Sequence, residues 1–177
     1  MDRTSEFREL YDAHRVAVHA YFVGRTGDRW AAADLMQEVF LRAWQRFDEL
    51  RGRPADGRRA WLFTVARNLS VDAYRHERGR ADAEAALRHE PAVGSPSAHA
   101  AVVAADRVAV VSDAIAALPE HQRVTLALAT SGLNSSQIAT ALGVPAGTVR
   151  YRLSDARRTL ADALARYDRP EHGTEEP

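Results

Sequence analysis

Apolar positions recur at helical spacing along most of the chain. In residues 4–24, Phe7, Leu10, Tyr11, Val18, Tyr21 and Phe22 share one face, and Thr26-Gly27-Asp28 ends the run. Residues 30–48 repeat the pattern. Leu35, Met36, Val39, Phe40, Ala43, Trp44 and Phe47 fall inward, while Asp34, Gln37, Glu38, Leu41, Arg42 and Gln45 fall outward. Residues 50–58 hold two Gly and one Pro and read as a loop. A third helix is predicted from about Arg59 to Glu77, with Leu62, Val65, Ala66, Leu69 and Ala73 as its buried stripe. The pattern fades from Gly79 to about Ala105, where Ala, Gly, Ser, Pro and acidic residues dominate. This stretch reads as a linker, with some helix around Asp82 to His89. Periodicity returns at Val108, Val111, Ile115 and Leu118, and Pro119 is placed to open a helix whose core positions are Val124, Leu126, Ala127 and Leu128. The tail after Tyr167 is polar and reads as disordered. No strand pattern and no internal repeat occurs. The expected fold is all-α, with two small helical domains joined by a flexible linker.

The most informative local stretch runs from Leu133 to Arg158. Ser135 or Ser136 can cap a short helix whose apolar face is Ile138, Ala139 and Leu142. Gly143 suits a left-handed C-cap, and Pro145 prevents that helix from continuing. A second helix starts near Ala146 to Thr148, with Val149, Leu153, Ala156 and Leu160 inward. Its other face carries Arg150, Tyr151, Arg152, Ser154, Asp155, Arg157 and Arg158. Two short helices, a tight turn and a basic second helix form the pattern of a helix-turn-helix. A plain helical hairpin with a solvated charged face is the alternative, and the agreement of cap, turn and basic face argues against it.

Charge sharpens this picture. The net charge is zero, yet all 24 basic residues are arginine. Residues 51–80 hold eight Arg against three acids, a net of +5, and residues 147–167 hold five against two, a net of +3. Residues 81–122 carry two Arg against six acids, and the last ten residues one against four. Two basic islands between acidic stretches suggest two phosphate-facing surfaces. Arginine serves such contacts well, although base composition of the genome explains the absence of lysine more simply. There is no cysteine, so no disulfide framework or thiolate metal site. There is no run of eighteen apolar residues and no apolar N-terminal signal region, so a cytoplasmic protein without a membrane span is expected.

The third predicted helix carries the second basic surface. Thr64, Asn68, Asp72 and Arg75 lie opposite its buried stripe at spacings of four, four and three. Trp61, Phe63 and Tyr74 lie beside them, and arginines flank them at 58, 59, 67, 75, 78 and 80. Basic residues interleaved with aromatics suit single-stranded nucleic acid, where bases stack on rings and phosphates are neutralised. Trp61 and Phe63 as ordinary core residues is the competing reading.

The order of these pieces resembles the extracytoplasmic-function sigma factors, the smallest members of the main bacterial sigma family. DLMQEVFLRAW at Asp34–Trp44 is similar to the family's core-polymerase-binding helix. RAWLFTVARNLSVDAYRHERGR at Arg59–Arg80 is similar to its promoter-melting and minus-ten-reading segment. ALPEHQRVTLAL and the helix-turn-helix are similar to its minus-thirty-five-reading domain. The resemblance covers about residues 5–80 and 108–165. It implies a polymerase-binding and minus-ten domain over 1–80, a linker over 81–107, a minus-thirty-five domain over 108–167 and a disordered tail over 168–177. Larger sigma factors carry a further domain where residues 81–107 leave no room for one.

The resemblance also implies roles for residues. Asp34, Gln37, Glu38 and Leu41 match positions that contact the coiled coil of the largest polymerase subunit. Asn68 matches the position that reads the minus-ten element, with Asp72 and Arg75 on the same face. Asp72 has a second role open to it, orienting Arg75 or capping a backbone group. Trp61 matches an aromatic near the upstream edge of the bubble, where a flipped base could stack; core packing stays open as its alternative. The loop Leu50–Arg58 matches the family's variable base-capturing loop. Thr148, Arg150, Tyr151, Ser154 and Asp155 match positions facing the minus-thirty-five major groove, and Arg157 and Arg158 are assigned to phosphates. Asp155 departs from the basic residue many relatives carry, and an acid can accept from a cytosine amino group. Tyr151 replaces a usually small residue. The implied partners are core RNA polymerase, promoter DNA in double-stranded and melted form, and an anti-sigma factor.

The sequence offers two rival functions. A helix-turn-helix regulator that is not a sigma factor fits the C-terminal third, but its sensing domain would need a pocket rather than an exposed aromatic and arginine-rich helix. An enzyme fits poorly. The seven histidines at 14, 19, 76, 89, 99, 121 and 172 are scattered, and no HExxH, P-loop or nucleophile elbow occurs. No cofactor, metal or catalytic residue is expected.

Overall fold

A computed structural model describes the backbone of residues 2–85 and 104–168, and the side chains of 2–73 and 107–168. The described residues form eight helices and no strand. In order they are α1 (Arg3–Thr26), α2 (Arg29–Gln45), α3 (Phe47–Arg51), α4 (Ala55–Ala85), α5 (Ala104–Ala117), α6 (Glu120–Thr130), α7 (Ser135–Leu142) and α8 (Ala146–Tyr167). The first four make an N-terminal bundle and the last four a C-terminal one, as the all-α expectation had it. The linker segment 86–103 and the tail 169–177 lie outside the described residues.

Local chemistry sets the boundaries. Gly27 takes φ of 70° and closes α1, with its N–H on the Val23 carbonyl. Asp28 then opens α2, its carboxylate accepting from the Trp30 and Ala31 amides at 2.7 and 3.4 Å. The predicted loop over 50–58 shrinks to 52–54, because α3 occupies its start and α4 begins at Ala55. Helix α4 is also longer than the apolar stripe implied, running to Ala85. Past Ser70 it leaves the core. Ala73, expected in the buried stripe, is exposed, and Val65 is only half-buried. Phe63 takes the place in the core, fully buried and edge-on to Tyr21 at 5.8 Å.

Leu10, Val18, Tyr21 and Phe22 of α1, Val39, Phe40 and Ala43 of α2, Phe47 and Leu50 of α3 and Leu62, Phe63, Ala66 and Leu69 of α4 build the N-terminal core. That core does not stop at the domain edge. Val124, Leu128, Ile138, Ala141, Val149 and Leu153 belong to the same contiguous buried cluster, because α1 packs on α6 and α4 touches α7. The two bundles therefore lie against each other.

Candidate nucleic-acid and polymerase interfaces

Helix α2 presents a clean division. Ala32, Val39, Phe40 and Ala43 are buried, while Trp30, Asp34, Gln37 and Leu41 lie opposite within an arc of about 60° at 3.6 residues per turn. Leu41 is 52% exposed and Trp30 is 74% exposed. Glu38, at the edge of the strip, is half-buried and accepts from Arg42 Nε at 2.8 Å. The strip is thus polar in its middle and apolar at both ends, a pattern suited to a helical partner. Trp30 sits outside the Asp34–Trp44 motif, so the resemblance does not point to it. Its spacing to Asp34 and Leu41 is the signal that would have found it.

On α4, Thr64, Asn68 and Asp72 are exposed, and Leu62, Phe63, Ala66 and Leu69 are buried behind them. Trp61 is half-buried against the core, so its indole is part packing and part surface. With Trp61 these residues span an arc of about 80°. Arg75, Tyr74 and the arginines at 78 and 80 fall where α4 is described as backbone only, so their side chains lie outside the described residues. Arg59 is tied to Asp56 at 3.0 Å. Arg58 and Arg59 also bear on His14 of α1. Burial first, and then the charges of Arg59 and Arg58, push this imidazole down to about 4.

The helix-turn-helix is formed by α7 and α8. Asn134, rather than either serine, caps α7. Its side chain accepts from the Gln137 amide at 3.0 Å while the Gln137 side chain accepts from the Asn134 amide at 3.0 Å, a reciprocal capping box. The serines are one and two residues too late to reach the free amides. Gly143 takes φ of 66° at the turn, as its position predicted. Val149, Leu153 and Ala156 of α8 are buried. Arg150, Tyr151, Ser154, Arg157 and Arg158 are exposed on one outer strip, with Tyr151 69% exposed. Thr148 and Asp155 sit at the edge of that strip, both half-buried. Asp155 is engaged on both oxygens, by Gln122 of α6 at 2.6 Å and by Arg158 one turn along.

Comparison with known proteins decides what these surfaces belong to. Residues 10–80 match the model of sigma-70 region 2, and residues 109–160 match that of sigma-70 region 4. The chain belongs to the sigma-70 family, as an extracytoplasmic-function sigma factor. It is 40% identical over 155 residues to the ECF RNA polymerase sigma factor SigL of Mycobacterium tuberculosis, covering 86% of this chain and 85% of that one. It is 30% identical over 159 residues to the ECF sigma factor BldN of Streptomyces coelicolor, covering 89% of this chain and 60% of that one. Among solved structures it is similar to the sigma factor RpoE in complex with the anti-sigma factor NepR from Bartonella quintana, with a TM-score of 0.62, 25% identity and coverage of 93% and 99%. It is similar too to CnrH in complex with the cytosolic domain of CnrY, with a TM-score of 0.57, 25% identity and coverage of 94% and 91%.

This sigma factor therefore directs RNA polymerase to promoters, and the regulator without a polymerase role is not favoured. Both matched regions coincide with the surfaces just described: region 2 contains the α2 and α4 strips, and region 4 contains the exposed strip of α8. Among the described residues, no helix is long and apolar enough to cross a membrane, and no cluster of His, Asp or Glu has the form of a metal site.

Proposed function

We propose that residues 1–80 and 108–167 act as two hands of one promoter reader, carried by core polymerase. The α2 strip of Asp34, Gln37, Glu38 and Leu41, extended by Trp30, binds the polymerase. The α4 strip of Thr64, Asn68 and Asp72, with Trp61 beside it and Arg75 one turn on, takes the melted minus-ten element. The α8 strip of Arg150, Tyr151 and Ser154 reads the minus-thirty-five groove, and Arg157 and Arg158 hold phosphates. Thr148 flanks that groove. Asp155 acts through Arg158, because its oxygens are already occupied. The observation that carries this reading is the exposed Thr64–Asn68–Asp72 strip on a helix that buries Leu62, Phe63, Ala66 and Leu69 on its other side. Such a strip can meet a ligand without disturbing the core.

The mechanism needs no bond chemistry from this chain; the polymerase is the enzyme. Bases captured on α4 bind only the melted state, and that differential affinity drives strand separation. Holding both readers on one polymerase raises the effective concentration of each at its element. Arginine contacts to phosphate make the affinity fall steeply with salt. The site of action is the cytoplasm, with the polymerase. The complexes of RpoE with NepR and of CnrH with CnrY support an anti-sigma partner for this chain as well.

Selection of promoters from a random DNA library by reconstituted holoenzyme tests the assignment. Two sequence blocks should emerge. Asn68→Ala should degrade the downstream block alone and Arg150→Ala the upstream block alone. Both blocks surviving intact in both variants would refute the residue assignment.

A further inference from the structure

One side chain on the exposed strip of α8 is neither charged nor small. Tyr151 is largely exposed, and among the described residues neither its ring nor its hydroxyl is engaged by another side chain. At 3.6 residues per turn, Gly147, Tyr151, Ser154 and Arg158 fall within an arc of about 60°. Arg150 and Arg157 lie to one side of that arc, and Thr148 and Asp155 lie to the other. The ring therefore stands in the middle of the strip. Its neighbours along the helix are small, with Gly147 one turn before it and Ser154 one turn after. Among the described residues, a Cβ at Gly147 would meet nothing nearer than the Arg150 guanidinium, at 4.0 Å, so the space next to the ring is open. Tyr151 is also the sixth residue of α8, within the N-terminal part that a helix-turn-helix presents to base edges.

The acid beside the ring is turned away from the groove. Asp155 could accept from a cytosine amino group, but Gln122 of α6 holds one of its oxygens at 2.6 Å and Arg158 holds the other. Gln122 is itself buried, which keeps Asp155 on the α6 side. What remains at the centre of the strip is an aromatic ring. In the major groove the base edges show donors, acceptors and one apolar group, the C5-methyl of thymine. An aromatic ring has nothing to gain from the donors and acceptors in its path, and it gains apolar contact from the methyl.

We infer that Tyr151 reads the 5-methyl group of a pyrimidine in the minus-thirty-five major groove, so that this reader selects thymine by its methyl and accepts 5-methylcytosine as a partial substitute. The inference rests on the assignment of α8 as the minus-thirty-five reader, and it names what the centre of its strip takes. The group at C4 of the pyrimidine is an acceptor in thymine and a donor in cytosine. The ring makes no demand on it. The methyl common to thymine and 5-methylcytosine is what the ring covers. Methylation of a cytosine at this position then strengthens binding, and the promoters that this chain reads depend on the methylation state of the DNA.

Holoenzyme reconstituted with core polymerase, on the promoter it selects from a random library, provides the test. Each thymine of the upstream block, on either strand, is replaced singly by uracil, which removes the methyl and nothing else. At one position uracil should weaken binding about fourfold, the worth of one buried methyl-sized group. Cytosine placed there should bind more weakly still, and 5-methylcytosine should recover about fourfold of that loss. Tyr151→Phe should keep both methyl effects, since the ring makes the contact. Tyr151→Ala should bind thymine and uracil duplexes alike, with its fold and its downstream block intact because the side chain is exposed. An upstream block in which no thymine methyl matters overturns the inference, as does a methyl effect that survives in Tyr151→Ala. Loss of the effect in Tyr151→Phe overturns it too, because the hydroxyl would then be the reading group. Those three results leave the assignment of α8 standing. If no upstream block emerges at all, that assignment falls and the inference falls with it.

Discussion

Asp155 of the recognition helix accepts a hydrogen bond from Gln122 of α6 at 2.6 Å, and its other oxygen holds Arg158. The acid that looked anomalous on a DNA-facing helix is a strut between two helices. Asp155→Ala should cost about 1 kcal/mol of stability, the usual worth of a hydrogen bond of this kind. It should weaken minus-thirty-five binding by a similar factor whichever base is present, because Arg158 loses its anchor. Competition binding against a panel of single-base changes checks this. A loss confined to sites with one particular base would make Asp155 a direct reader instead.

Leu41 and Trp30 stand three turns apart on the wet side of α2, about 16 Å along the helix. Large apolar side chains that are this exposed and aligned behave as interface anchors. Leu41→Glu should weaken core-polymerase binding by about thirtyfold, and Trp30→Ala by about tenfold. Neither should shift the urea midpoint, since neither side chain is buried. Titration of core polymerase with labelled protein measures both. A Trp30→Ala variant that binds like wild type would limit the interface to the Asp34–Leu41 segment.

His14 makes stability depend on pH. It is buried in α1, and its folded-state value of about 4 lies below the ordinary 6.5. The unfolded chain therefore takes up a proton between those values while the folded chain does not. The stability His14 confers is complete above pH 6.5 and is lost as pH falls towards 4. Urea midpoints should drop over that window in wild type. In His14→Leu, which cannot titrate, the fall should be shallower. Parallel curves for the two proteins would assign the acid sensitivity to other groups.

Much of this molecule was legible in its sequence because its signals are local. The helices on Leu35–Phe47 and Leu62–Leu69 follow from apolar spacing, and the turn at Gly143 follows from a residue that accepts positive φ. Errors came where two local signals competed. Asn134 outcompeted the serines as a cap because only it has Gln137 three residues on. Gly52, Pro54 and Gly57 suggested a long loop, but Pro54 lies just before α4 and Gly57 within its first turn, which a helix N-terminus tolerates. The contact between the two bundles was invisible, although Gly24 of α1 meets the backbone of Val124 of α6 there. Gly24 matters only because Val124, a hundred residues away, lies against it, and no periodicity encodes that meeting. The same holds for Asp155, whose role depends on where Gln122 comes to rest. The candidate site residues on α2, α4 and α8 could be placed on faces from spacing alone, but which of them are already engaged by a neighbour could not.

The central claim is that Asn68, exposed on α4, acts on melted rather than duplex DNA. Transcription by reconstituted holoenzyme, run in parallel on a duplex promoter and on the same promoter pre-melted across the minus-ten region, measures it most directly. The account predicts that Asn68→Ala loses at least tenfold on the duplex template and recovers most of that loss on the pre-melted one. An equal loss on both templates would contradict it.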